Sequence, residues 1–125
     1  MMWILFLSMA QHNNTGKAGE QLAISWFTER SYIILHKNWR HRHWEVDLIA
    51  SKENVLHFIE VKTRTSLAFG YPEDSVSHKK IAYLIDAADE YLQLYPKWKR
   101  IQFDVLAVTM LKNEVEYFLI EDVYL

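Results

Sequence analysis

The sequence predicts one α/β domain in which helices pack on a mixed central sheet. The chain of 125 residues is long enough for one hydrophobic core but too short for two. Half of the residues are hydrophobic and 14% are aromatic, which excludes a disordered chain. Segments with the apolar patterns of strands alternate with two segments of helical spacing, in the order αβββαββ. That order is typical of a sheet covered by helices.

The first helix is predicted from Gly16 to about Arg30 because apolar residues recur there at helical spacing. We expect residues 1–14 to be an N-terminal extension that is disordered or an artefact of the gene model, in which case translation starts at Met9 and the first eight residues are not made. An added edge strand or a self-association segment is the alternative. The apolar run in this extension is too short to span a membrane and has no basic residues before it, so neither a membrane span nor a signal peptide is predicted.

The remaining elements follow from apolar patterns bounded by turn residues. Three strands are predicted at 32–39, 44–51 and 55–64, and the polar turn at 51–54 joins the last two into a hairpin. A loop is predicted at 66–75, followed by a second helix that Ser77 caps and that ends at about Leu94, before Pro96. Its apolar stripe comprises Ile81, Leu84, Ile85, Ala88 and Leu92. Strands at 101–110 and 115–122 close the domain.

Composition limits the possible functions. The absence of cysteine excludes disulfides, zinc ribbons and thiol nucleophiles, and a reducing compartment such as the cytoplasm is the expected location. The formal net charge of -2 gives no overall positive field, so binding to a nucleic acid would need a local basic patch.

The third predicted strand carries charged residues at every second position. Glu60, Lys62 and Arg64 therefore project from one face, and the hairpin sets Asp47 of the neighbouring strand on the face of Glu60. Two carboxylates on one buried face repel each other unless a cation joins them. Oxygen ligands without cysteine favour Mg²⁺ or Mn²⁺ over Zn²⁺. Lys62, about 7 Å further along the strand than Glu60, could orient a water beside the metal.

Glu20 supplies a third acid from the first helix. It lies with Ala23, Ile24 and Phe27 on the apolar side of that helix, where a glutamate aimed at an acidic sheet face would be a metal or water ligand. A divalent ion held by carboxylates next to a lysine predicts phosphodiester hydrolysis. The other interpretation is that Glu-x-Lys belongs to the solvated face of a strand, where this pattern is common.

Basic residues are concentrated in three short segments. The stretch 36–44 is either a phosphate-facing patch whose tryptophans stack on bases or a solvated connection with its tryptophans in the core. Lys79 and Lys80 lie at the N-terminus of the second helix, where the helix dipole makes positive charge unfavourable. A position that does not help the stability of the helix suggests that Lys80 contacts phosphate. The run 95–100 is expected to be a solvated turn.

Several segments taken together resemble the YraN-like family of small bacterial proteins expected to be endonucleases. These segments are "GKAGEQLA" (16–23), "NWRHRHWEVDLIAS" (38–51), "FIEVKTR" (58–64), "FGYPEDSV" (69–76), "KIAYLIDAADEYL" (80–92) and "FDVLAV" (103–108). The family belongs to the PD-(D/E)XK restriction-endonuclease-like superfamily and is similar in its core to Holliday-junction resolvases. The resemblance implies a restriction-endonuclease-like αβββαβ core with a mixed central sheet flanked by helices.

The resemblance also implies roles for individual residues. Asp47, Glu60 and Glu20 match metal ligands for Mg²⁺ or Mn²⁺, and with Lys62 they match the catalytic residues. Glu45 matches an acid near the metal ligands, and Asp104 matches an aspartate that is structural or supports them. Arg64 and Lys80 match basic positions suited to nucleic-acid phosphates, and Arg40 and Arg42 of the basic stretch 36–44 are further candidates for such contacts. Trp44 and Gln102 depart from the family pattern, which usually has Gly and Arg at these positions.

The function expected from these residues is metal-dependent hydrolysis of DNA, with branched repair or recombination intermediates and a homodimer suggested by analogy with resolvases. Two other classes stay open. One is a nucleic-acid-binding or protein-interaction module that keeps the fold with little or no activity. The other is a nuclease that acts on RNA or on free ends.

Overall fold

A computed structural model of the chain describes residues 2–65 and 78–123, with side chains from Thr15 onward. The predicted loop at 66–75 and the predicted cap Ser77 lie outside the described residues. The elements are α1 (Met2–Glu29), β1 (Ile33–His41), β2 (Trp44–Lys52), β3 (Val55–Arg64), α2 (His78–Leu94), β4 (Ile101–Met110) and β5 (Val115–Ile120). The predicted order αβββαββ is confirmed, and the strand boundaries differ from the prediction by no more than two residues at either end.

The first helix is longer than the sequence pattern indicated. It begins at Met2 instead of near Gly16, so the alternative of an added edge strand is wrong. Residues 2–15 contain neither Gly nor Pro, the two residues that interrupt helices most strongly. The amphipathic stripe that made residues 16–30 recognisable belongs to a part of α1 that packs on the sheet. Within the described part of the chain, neither helix has a stretch long and apolar enough to cross a membrane.

The five strands form one mixed sheet in the order β1-β2-β3-β4-β5. All neighbours are antiparallel except β3 and β4, which are parallel and are connected through α2. A two-residue turn joins β2 to β3, and both of its residues, Glu53 and Asn54, have positive φ angles of 51° and 67°. Two positive φ angles are typical of the turn that matches the twist of a hairpin, and this turn fixes the register that the site depends on.

Each face of the sheet has its own apolar core. Alternation along β3 sends Phe58 to the face covered by α2 and Ile59 to the face covered by α1. Leu84, Ala88 and Tyr91 fill the α2 core, while Ile85 of the predicted stripe is 41% exposed. The helices therefore flank the sheet as expected. The buried face of α2 differs from the predicted stripe, because it includes Tyr91 and leaves Ile85 partly exposed.

A close contact between α1 and β3 requires glycine at position 19. A Cβ added to Gly19 would lie 2.7 Å from Cγ2 and 2.9 Å from Cβ of Thr63, and it would overlap Oγ1 of the same side chain. Threonine is β-branched and stiff about χ1, so its side chain cannot move away cheaply. Gly16 on the same helix has open space around it.

We expect Gly19→Ala and Gly16→Ala to have opposite effects on stability. Both replacements gain up to about 1 kcal/mol of helix propensity, but only the first adds overpacking that costs about 1–3 kcal/mol. Urea unfolding should therefore show Gly16→Ala more stable than Gly19→Ala by about 1–3 kcal/mol. Equal unfolding free energies would contradict the close approach of α1 to β3.

Candidate active site

The sheet divides into two branches at Asp47 and Glu60. The β2–β3 ladder runs from Lys52↔Val55 to Leu48↔Ile59, and the same register continued by one residue sets Asp47 opposite Glu60. Beyond this point β2 pairs only with β1, as far as His41↔Trp44, and β3 pairs only with β4, as far as Arg64↔Thr109. The predicted juxtaposition of the two carboxylates is confirmed, and it lies where the branches separate.

Glu60 is a nearly buried carboxylate that two lysines share. Its side chain is 9% exposed, and its Oε1 forms an ion pair with Nζ of Lys80 and lies 3.7 Å from Nζ of Lys62. Lys62 follows Glu60 on the same face of β3, as predicted, whereas Lys80 comes from the first turn of α2. The second oxygen, Oε2, is buried and has no hydrogen-bond partner. Such an oxygen is costly to desolvate, and a cation is the partner that suits it best.

Asp47 is held against the neighbouring strand by a backbone hydrogen bond. The amide N–H of Val61 donates to its Oδ2 at 2.9 Å, so the carboxylate replaces the ladder bond lost at the fork. Burial raises the pKa of Asp47, and the nearby Glu60 and Glu20 raise it further, although the Val61 hydrogen bond and Lys80 act in the opposite direction. Asp47 is thus a carboxylate whose negative charge the protein compensates incompletely.

The pKa of Lys80 shows the reverse balance. Burial lowers the pKa, but the hydrogen bond and charge of Glu60, together with contributions from Lys62 and Asp47, outweigh burial, so the net shift is upward. A raised pKa keeps the ammonium charged at neutral pH. Lys80 is therefore a permanent cation at the edge of the acidic pair.

A cleft of about 420 Å³ opens beside this group. It is lined by Glu45, Val46, Asp47, Glu60, Lys79, Lys80, Tyr83 and Leu84. Tyr83 fixes the rim, because its hydroxyl donates to the carbonyl of His43 at 3.1 Å and accepts from the amide of Glu45 at 2.8 Å. The cleft therefore has an acidic floor, a basic wall on α2 and a tethered hairpin as its third side.

Glu20 of α1 lies close enough to Asp47 to affect its pKa, but it does not line the cleft. Its Oε2 accepts a hydrogen bond of 3.2 Å from Nδ2 of Asn38, and its charge contributes to the raised pKa of Asp47. Asn38 has a positive φ of 50° and falls between the pairs Lys37↔Leu48 and Trp39↔Val46. Among the described residues no group of three His, Asp or Glu side chains is arranged as a metal site. Glu20 thus acts on Asp47 through its charge.

The two arginines of the 36–44 stretch form ion pairs near the tip of the β1–β2 hairpin. Nε of Arg40 lies 3.1 Å from Oε1 of Glu45, and Nη1 of Arg42 lies 3.9 Å from Oε1 of Glu90 on α2. Both arginine side chains are 72% exposed. Trp39 is buried in the α2 core and Trp44 packs against that core, so stacking of bases on Trp39 is wrong. Arg64 lies at the end of β3, beyond the fork.

Asp104 belongs to a separate buried network. Its Oδ2 lies 2.7 Å from Nδ1 of His57, and its Oδ1 accepts from Nε2 of Gln102 at 2.9 Å and from the amide of Asp122 at 3.0 Å. It is fully buried on β4, and the residue before it, Phe103, belongs to the α2 core. By alternation Asp104 faces the α1 side, away from the cleft. Of the two roles predicted for it, these contacts favour the structural one.

Three contributors to the site were not predicted from the sequence. These are the pairing of Lys80 with Glu60, the hydroxyl of Tyr83 at the rim, and the contact of Asn38 with Glu20. For Lys80, the sequence offered one indication of a role, which was its unfavourable position at the N-terminus of a helix, and this indicated phosphate and not Glu60 as its partner. The contacts of Tyr83 and Asn38 arise between distant segments and leave no local pattern.

The mixed five-stranded sheet, its two helices and the acidic pair at the fork place the chain in the restriction-endonuclease-like class of α/β proteins. More specifically, the chain belongs to the uncharacterised protein family UPF0102, the YraN-like family, whose model matches residues 19–108. A UPF0102 protein of Bacteroides thetaiotaomicron is 44% identical over 100 residues, covering 80% of this chain and 83% of the relative. A UPF0102 protein of Flavobacterium psychrophilum is 40% identical over 116 residues, covering 93% and 98%. One from Parabacteroides distasonis is 38% identical over 118 residues, covering 93% and 96%.

Proposed function

We propose that this protein is a metal-dependent nuclease that hydrolyses phosphodiester bonds in DNA. The observation that carries the proposal is the pair Asp47 and Glu60, opposite each other at the fork of the sheet and beside two lysines. A structural ion pair would not need a second carboxylate with a raised pKa in the same cleft. Perturbed carboxylates in a cleft are typical of functional sites.

The residues present fit a hard divalent cation. Glu60 offers a buried oxygen without a hydrogen-bond partner, and Asp47 offers a carboxylate with incompletely compensated charge. Two carboxylates suffice for Mg²⁺, which keeps several of its waters when a protein binds it. When bound, Mg²⁺ or Mn²⁺ would polarise the phosphoryl oxygens and lower the pKa of a bound water.

The side chains around Asp47 and Glu60 have complementary tasks. Lys62 would orient the attacking water next to Glu60, and Lys80 would stabilise the negative charge that builds up on the phosphate. Hydrolysis forms a bond from the water oxygen to phosphorus and breaks the bond from phosphorus to a sugar oxygen, which takes up a proton. Glu20 would support the site by holding Asn38 and by its charge on Asp47.

A panel of nucleic acids tests the proposal. Single-stranded, duplex and four-way DNAs and single-stranded RNA are incubated with Mg²⁺ or Mn²⁺, and the cleavage rates of wild type, Lys62→Ala and Lys112→Ala are compared. Lys112 is an exposed lysine in the β4–β5 turn and serves as the matched control. We expect DNA cleavage that Lys62→Ala reduces by about 100-fold or more and that Lys112→Ala leaves unchanged.

One observation favours a second candidate, a nucleic-acid-binding module without cleavage. The two lysines beside Glu60 compensate its charge within the protein itself. DNA binding by wild type with no cleavage of any substrate would support this candidate and overturn the nuclease. Cleavage that is equal in wild type and Lys62→Ala would also overturn the assigned site.

A further inference from the structure

A second cavity lies at the other end of β3 from the cleft. It measures about 390 Å³ and is lined by Asn54, Lys97, Trp98, Lys99 and Arg100. We call this group the basic pocket. It holds three cations within four residues of a chain whose net charge is -2, so positive charge is concentrated here. The sequence predicted only a solvated turn at this position.

The segment that carries the basic pocket is fixed by its contacts. The carbonyl of Arg100 accepts a hydrogen bond of 2.9 Å from the amide of Leu56, and the amide of Tyr95 donates to the carbonyl of Tyr91 at 2.9 Å. Trp98 packs against the apolar core beneath α2. The three cations are therefore presented on a segment that is attached at both ends and in its middle.

The aromatic ring in the basic pocket serves as a support for a cation. Nζ of Lys97 lies 5.2 Å from the centroid of Trp98, within the range of a cation–π interaction. The ring thus contacts the core and also holds an ammonium, which leaves it poorly placed to stack on a base. The chemistry that remains for a ligand is that of an anion such as phosphate, which lysine and arginine bind through charge and hydrogen bonds.

The basic pocket lies on the α2 side of the sheet, as the cleft does. Glu60 is five residues along β3 from Val55, next to the turn residue Asn54, which corresponds to roughly 17 Å. Lys80 and Leu94 lie fourteen residues apart on α2, or roughly 21 Å. A nucleic-acid strand advances about 3.4 Å per nucleotide in a duplex. The two sites are therefore separated by an axial length of about five or six base pairs of a duplex.

We propose that the basic pocket binds the phosphodiester backbone of a nucleic-acid duplex about five or six base pairs along its axis from the bond cleaved in the cleft. This inference rests on the proposed function for the position of the cut, while the binding of phosphate is independent of it. Contacts to phosphate carry no base preference, so the pocket would hold and orient a substrate without reading its sequence.

Binding at several salt concentrations tests this proposal. Fluorescence anisotropy of a labelled DNA duplex in EDTA, which prevents metal-dependent cleavage, is measured for wild type, Lys97→Ala/Lys99→Ala and the control Lys17→Ala/Lys112→Ala. All four lysines are exposed, so both double variants should fold. We expect Lys97→Ala/Lys99→Ala to weaken binding by about 10-fold or more and to reduce the slope of log K against log salt by about 2. The control should change neither value by a comparable amount.

A cleavage series then places the pocket relative to the cut. On long duplexes we expect Lys97→Ala/Lys99→Ala to raise KM with kcat unchanged. On duplexes with fewer than about five nucleotides on one side of the cut, the variant should match wild type. Affinity and salt slope equal to those of the control variant would overturn the basic pocket, as would a wild-type protein that does not bind nucleic acid. Lys62→Ala separates the two proposals, because it should lose cleavage and keep the salt slope.

Discussion

Glu60→Gln is expected to abolish DNA cleavage and the stabilisation of the protein by Mg²⁺ or Mn²⁺. Glutamine keeps the size of the side chain but removes the negative charge shared by Lys62 and Lys80, and it offers one carbonyl oxygen in place of two carboxylate oxygens. A metal that binds only the folded protein adds about 2.7 kcal/mol to stability at a hundred times its Kd. The variant should lose this increment and lose cleavage by about 10²–10³-fold or more.

Glu45→Gln is the matched control. Glu45 lines the same cleft, and its carboxylate forms an exposed ion pair with Arg40, so removal of its charge should have little effect on stability. Thermal unfolding of wild type and both variants across a metal titration, each compared with its own metal-free sample, measures the difference. Equal metal-induced shifts in wild type and Glu60→Gln would show that Glu60 is not a metal ligand.

The largest loss of stability is expected from Asp104→Ala. This change removes the acceptor of one buried hydrogen bond, to His57, and of two partly buried ones, from Gln102 and the amide of Asp122. Leaving a buried polar group without its hydrogen-bond partner costs about 1–3 kcal/mol, and three bonds are lost together here. Asp104→Asn should cost about 1–3 kcal/mol, because asparagine has one acceptor oxygen where two are used.

Urea unfolding of these variants beside Asp89→Asn checks the prediction, since Asp89 is an exposed aspartate on α2. DNA cleavage is also measured, under conditions in which every variant is folded. If Asp104 stabilises only the fold, its replacement should not change the cleavage rate of the folded protein. We expect Asp104→Asn to keep its kcat. An unfolding free energy within about 0.5 kcal/mol of Asp89→Asn would contradict the structural role, and a fall in kcat without unfolding would assign Asp104 to the site.

The acidic floor of the site could be predicted from the sequence because it depends on local structure. The turn at Glu53 and Asn54 sets the register of a hairpin, and the period of two along a strand then brings Asp47 and Glu60 together. The position of Lys62 on the same face of β3 as Glu60 follows from the same period of two. Chemistry that rests on neighbouring strands of one hairpin is therefore visible in a single sequence.

The rest of the site depends on how distant segments pack. Lys80 reaches Glu60 only because α2 lies across this end of β3, and Glu20 reaches Asn38 only because Gly19 lets α1 approach Thr63. The start of α1 was not predicted because residues 2–15 lack the regular apolar spacing by which an amphipathic helix is recognised in a sequence. A pattern of hydrophobic residues reports the burial of a helix more reliably than its length.

The parallel pairing of β3 with β4 has a consequence for the order of folding. Strands β1 to β3 contact their neighbours through short turns, whereas β4 can pair with β3 only after the chain has passed through α2. Local pairings close at a lower entropic cost than distant ones. Asp47 and Glu60 both belong to the local part, and Lys80 arrives with the crossover. Lys62 belongs to the local part as well, so docking of α2 is the step that adds the second of the two cations beside Glu60.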